Sequence, residues 1–163
     1  MQYARSIPEL AALMADADYV DARTAVSDKA LRPFVAACLS YMPGWMVLLY
    51  KVRALFVRLL GMRQNGYPGD TAVGGDDISM TPGDRVGFLT VTMARDGEYW
   101  VGEATEKHLS GYLVTAAEEL GDGRRRYHAL TVVKFRHWTG PVYFNVIRPF
   151  HHIVVRAMMA HAA

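Results

Sequence analysis

Apolar positions recur at helical spacing in the first part of this chain and alternate or cluster in short blocks between turns in the second. Ser6-Ile7-Pro8-Glu9 has the form of a capping box with proline at the first helical position, so a short helix is predicted over 7–15. Loose alternation over 18–26 predicts a first strand, followed by a cap at Ser27 or Asp28 and a helix to about residue 41. Pro43-Gly44 breaks it. A third helix then spans 45–60 and ends at Gly61. The glycine-rich stretch 61–85 reads as loop with a short strand at 78–80. Four β-runs follow, at 86–94, 99–105, 108–118 and 125–136, punctuated by Asp96-Gly97 and Gly121-Asp122-Gly123; turns this short predict antiparallel pairing.

The last predicted element is a helix over 141–161. At about 100° per residue, Tyr143, Val146, Ile147, Phe150, Ile153, Val154, Ala157, Met158 and His161 share one stripe, expected to pack, and Asn145, Arg148, His152 and Arg156 lie opposite. Pro149 removes one backbone donor inside it and predicts a bend. The expected class is α+β: an antiparallel sheet of five to seven strands wrapped around a long C-terminal helix, with two helices after strand one. A single domain over 1–163 is expected, residues 1–17 forming a helical brace. Both faces of the 125–136 strand are apolar, so the pattern leaves open which face is concave.

Composition narrows the function classes. The chain has 163 residues, 52% hydrophobic and 21% charged, with net charge +2 and scattered basic residues, which argues against a nucleic-acid partner. One cysteine, Cys38, permits no internal disulfide, and the N-terminus carries no signal-peptide core, so a cytoplasmic location is expected. The 45–60 run is shorter than the ~20 residues of a membrane span and carries Lys51, Arg53 and Arg58; no span is expected. There is no Gly-x-Ser-x-Gly elbow, no phosphate-binding glycine motif and no metal-ligand spacing: adjacent His151 and His152 diverge by about 100° on a helix. No metal and no cofactor are expected.

A few residues carry candidate chemistry. Lys51 and Arg58 share a solvent face, but Arg53 projects among apolar positions of its helix. An unpaired buried charge costs several kcal/mol, so Arg53 must meet a carboxylate such as Glu103 or Glu106, backbone carbonyls, or an anionic ligand group. The two-residue strand period places His108, Ser110 and Tyr112 on one face, where they line a cavity if that face is concave. His108 has the ordinary titration range of an acid or base. Arg124-Arg125-Arg126 at a turn reads as a solvated hairpin end or a contact for an acidic partner. The 66–84 loop reads as a lid over a pocket mouth.

Pro43-Gly44-Trp45, the run 52–58, the His108-Leu109 strand start and above all Gly140-Pro141-Val142-Tyr143-Phe144-Asn145-Val146-Ile147-Arg148-Pro149-Phe150-His151 resemble a bacterial family known as domain of unknown function 2867, over about 18–161. That family favours an acidic residue after His-Leu; Ser110 stands there instead, which counts against a histidine and acid acting together at that point. The element order also resembles the START or polyketide-cyclase helix-grip fold. The resemblance implies an apolar cavity between sheet and terminal helix that binds a hydrophobic small molecule. From the residue patterns, Arg53, His108, Tyr112, Tyr143, Ile147 and Phe150 are the expected ligand-binding set, and Arg53 admits an anionic group on the ligand. An enzyme of cyclase, dehydratase or hydrolase type using the same pocket is the alternative. So is an interaction module without ligand, forming a homodimer or meeting a dehydrogenase-like partner.

Overall fold

The computed structural model describes residues 1–59 and 77–163. In chain order the elements are α1 (Gln2–Ser6), α2 (Pro8–Ala15), β1 (Tyr19–Ser27), α3 (Leu31–Ser40), α4 (Gly44–Leu59), β2 (Arg85–Val86), β3 (Leu89–Arg95), β4 (Tyr99–Thr105), β5 (Leu109–Glu119), β6 (Arg125–Phe135) and α5 (Thr139–Ala162). The six strands form one antiparallel sheet in the order β1-β6-β5-β4-β3-β2. β1 therefore lies beside the last strand. The chain reaches the far edge after α3 and α4, then returns strand by strand through tight turns. Gly97, Gly121 and Gly123 take positive φ at the two turns anticipated from sequence.

Strand alternation settles which face holds what. Tyr127 and Ala129 of β6 face α3 and α5, where Phe34, Val35, Trp100, Val155 and Met159 complete a buried cluster. Phe34 stacks on Tyr127, with ring centroids 3.7 Å apart. Leu130 and Val132, of opposite parity, face the N-terminal helices and pack with Ala4, Ile7, Leu10, Leu13, Val101 and Val114. Each fully buried aliphatic side chain contributes about 1.5–3 kcal/mol, which makes α1 and α2 an integral cover for the outer face. The C-terminus of α5 is fastened to the end of β1: Ser27 Oγ donates to the Ala163 carbonyl at 3.1 Å and Lys29 Nζ to that of Ala162 at 3.0 Å. A cation at helix-terminal carbonyls complements the dipole there.

Local details depart from the sequence reading in four places. The capping box does not form, because residues 2–6 make a helical turn of their own and Ser6 Oγ donates back to the Tyr3 carbonyl at 2.6 Å; Ile7 precedes α2, and Glu9 pairs with Arg95. Ser27 caps no helix, since it is spent on the α5 terminus, and α3 begins after Ala30. The run 86–94 is split: Gly87 takes φ +59° and turns β2 back on β3, while 78–80 forms no strand. In α5 the buried side chains are Tyr143, Phe144, Val154, Val155, Met159 and Ala162, besides Gly140, whereas Val146, Phe150 and Ile153 of the expected packed stripe are about half exposed. The helix has turned part of its apolar face outward. The end of the third helix at Gly61 and the lid over 66–76 lie outside the described residues.

Candidate functional site

Between the inner face of the sheet, α4 and α5 lies an open cavity of about 1010 Å³. Its walls are mostly apolar: Leu49 and Phe56 from α4, Leu89 and Leu113 from the sheet, Ile147 and Val154 from α5. Spacings of three, four and seven residues bring these side chains to one side of each helix, and alternation brings Leu113 to the inner face of β5.

A polar cluster sits at one end. α4 carries Arg53 into the wall, the turn after β4 supplies Glu106 and His108, and the first turns of α5 supply Tyr143. Arg53 Nη2 donates to Glu106 Oε1 at 3.0 Å, and its Nε donates to Tyr143 Oη at 2.5 Å. The pair is largely withdrawn from water, the two side chains being 22% and 11% exposed. Burial alone would lower the Arg53 pKa, but Tyr143 and Glu106 outweigh it and raise the value, so the guanidinium stays charged. Burial pushes the Tyr143 phenol up, with Arg53 opposing.

His108 stands behind this pair. Its ring meets Tyr143 edge-on at 4.6 Å, and its Nε2 is 3.3 Å from Glu106 Oε2. Despite that distance neither atom completes a hydrogen bond; both are buried polar atoms without a hydrogen-bond partner. Burial lowers the His108 pKa, Glu106 opposes, and Arg53 and His137 add to the lowering, which favours the neutral imidazole. The backbone beside it is equally tight. A Cβ on Gly140 would fall 2.5 Å from the His108 carbonyl oxygen, so only glycine lets α5 start this close to the turn.

The sequence-predicted residues divide into three groups. Arg53, Ile147 and Phe150 line the cavity. Tyr143 and His108 lie behind that lining and touch it through Arg53 and Glu106. Tyr112 borders the cavity as well, although the alternation of β5 places it with Val114 and Ala116 on the outer face, where Lys134 Nζ lies 5.6 Å from its ring centroid. Ser110 follows it, meeting Thr105 Oγ1 at 3.2 Å. His108 escapes that parity because it precedes the strand. Arg53 thus has an internal carboxylate and a place in the cavity wall at once.

Sequence reasoning missed His151 as a cavity residue. Its Nε2 is 2.9 Å from Thr131 Oγ1 on the sheet, and burial pushes its pKa down to about 4. No spacing signal links residues on different elements. Adjacent His152, on the side opposite the expected stripe, meets Asp21 at 3.0 Å and Tyr19 Oη at 3.1 Å. Among the described residues no group of three metal-ligating side chains converges. Arg124, Arg125 and Arg126 pair with Asp122, Glu119 and Glu118 respectively, which accounts for the basic turn as a set of local ion pairs.

Fold and site together define an α+β protein with a sheet holding a long terminal helix and an apolar cavity between them. The chain belongs to the family described as "Protein of unknown function (DUF2867)", whose model matches residues 13–158. A hypothetical protein of Helicobacter pylori solved by crystallography is similar at 12% identity and a TM-score of 0.41, covering 98% of this chain and 93% of that one. No curated protein matches.

Proposed function

We propose that the protein binds a hydrophobic small molecule carrying one polar end, held in the cavity between α4, α5 and the sheet. The observation that carries this reading is the cavity itself. About 1010 Å³ of space walled by Leu49, Phe56, Leu89, Leu113, Ile147 and Val154 is large enough for a lipid-sized ligand and offers it few polar contacts. Arg53 and Glu106 provide those contacts at one end, Ile147 and Phe150 grip the apolar body, and Tyr143 with His108 holds the polar pair in place. Because Glu106 already balances Arg53, a hydroxyl or an acid sharing the guanidinium suits the site better than a free-standing anion. The likeness of the sheet and helix arrangement to the START type supports the ligand class, as fold analogy only.

The unsatisfied Glu106 Oε2 and His108 Nε2 pair favours a second reading, acid and base chemistry on the same ligand. His108, 4% exposed and set behind the wall, counts against its reaching a substrate. The test is native mass spectrometry of the purified protein with denaturing extraction, and calorimetry with a long-chain fatty acid and the corresponding alcohol. An apolar compound that copurifies or binds, and is excluded by a folded Leu113→Trp variant, is the expected result. No copurifying compound and no heat with either probe would overturn the reading.

A further inference from the structure

α4 and α5 each show solvent an apolar stripe. On α4 Leu48, Val52 and Leu55 are 62%, 56% and 60% exposed, with Trp45 at the N-terminal end; on α5 Val142, Val146, Phe150 and Ile153 are each about half exposed. Steps of three and four residues put each set on one helix face. The stripes are not separate from the cavity. Val52, Phe88, Val146 and Phe150 are at once cavity wall and exposed surface, so the apolar face of the two helices runs directly into the mouth, with Arg85 and Thr90 on its sheet side.

Charge says what such a face can meet. Neither α4 nor α5 contains an acidic residue. At about 100° per residue Lys51 and Arg58 flank the α4 stripe and Arg156 flanks that of α5; all three are exposed, as is Arg85 beside Phe88 at the mouth. A second copy meeting this face would set cations against cations with no carboxylate on either helix to pair them. A surface of apolar interior and negative headgroups fits both features. Among the described residues no single helix is long and apolar enough to cross a membrane, and α3 with most of α4 passes by length and composition only as a pair bent by 67°; the exposed stripes lie along the helix sides, which suits lying on a bilayer.

We propose that the exposed stripes of α4 and α5, edged by Lys51, Arg58, Arg85 and Arg156, dock on an anionic lipid bilayer with the cavity mouth turned toward the lipid. Docking stands on exposure and charge and does not depend on the cavity being occupied. A ligand drawn from the bilayer would pass between Val52, Phe88, Val146 and Phe150 without crossing water.

Co-sedimentation with phosphatidylcholine vesicles, with and without a large share of phosphatidylglycerol, tests the proposal. The intact chain should bind the anionic vesicles and bind the neutral ones far more weakly. Leu48→Ser with Leu55→Ser should abolish binding while circular dichroism stays unchanged, and Lys51→Glu with Arg58→Glu should weaken it by roughly tenfold or more at low salt. A folded Leu113→Trp variant should still bind vesicles, which separates failure of docking from failure of the ligand reading. No binding to anionic vesicles, or equal binding after the charge reversal, overturns the proposal. So does a dimer in sedimentation velocity that Leu48→Ser with Leu55→Ser dissolves in the absence of vesicle binding, because a second copy then covers the face.

Discussion

Replacing His151 by glutamine should flatten the acid side of the stability profile. In the folded protein burial pushes the His151 pKa from 6.5 down to about 4; His152 and Arg53 add to the lowering and Asp21 opposes it. Since the folded value lies below the unfolded one, the unfolded chain binds more protons between them. This contribution is therefore complete above about pH 6.5 and is lost as the pH falls toward about 4. The gap of about 2.5 corresponds to about 3 kcal/mol in full, at ~1.4 kcal/mol per unit, and to about 2 kcal/mol by about pH 5. Glutamine can keep a hydrogen bond to Thr131 Oγ1 but cannot take up the proton. Urea unfolding of both proteins at about pH 7.5 and about pH 5 should show the wild type losing about 2 kcal/mol more than His151→Gln. Equal losses in the two proteins would refute the reasoning, by showing that the imidazole is protonated in place or that water reaches it freely.

Glu106→Gln should cost about 2 kcal/mol, short of the full penalty for a buried pair because Arg53 keeps Tyr143 and some exposure, and thermal unfolding should fall by roughly 4–8 °C. A double-mutant cycle with Arg53→Met should then show coupling; additive losses would mean that the 3.0 Å ion pair is energetically idle. Gly140→Ala must displace either the His108 carbonyl or the start of α5, so a loss of about 1–3 kcal/mol is expected in urea melts. The Cys38 thiol, whose pKa burial pushes up to about 12, should resist a disulfide reagent in native buffer and react at once in denaturant.

How far the sequence carried can be seen in individual residues. Arg53 was legible because a guanidinium on the apolar side of a helix demands a partner, and the choice between Glu103 and Glu106 was already narrow. Distance then decided it, at 3.0 Å to Glu106. Pairing of β3 with β4 and of β5 with β6 followed from turns marked by glycine, whereas nothing local placed β1 beside β6 and Gly87 was hidden inside what reads as one continuous strand. The face that Tyr112 shares stayed open because β6 is apolar on both sides, so nothing local says which side the helices cover. His151 was illegible for a related reason: its partner Thr131 lies on a separate element, and only the packed fold brings the two together.

The terminal helix shows a different limit. A helical wheel reports which residues are apolar, yet an apolar face can meet a core, an empty cavity or a partner, and all three give the same periodicity. In α5 the three environments occur around one circumference: Val155 and Met159 in the core, Ile147 and Val154 on the cavity, Val142 and Ile153 in solvent. The expected stripe itself is divided, with Ile147 and Val154 on the cavity and Ile153 in solvent. A helix serving only the core would have had its polar residues where Val142 and Ile153 stand, and lacking them costs solubility with no gain in packing. Serine at both positions should consequently leave urea stability within about 0.5 kcal/mol of wild type. A loss well above that would mean that these side chains pack against the protein itself, and the outward edge of α5 would then belong to the fold.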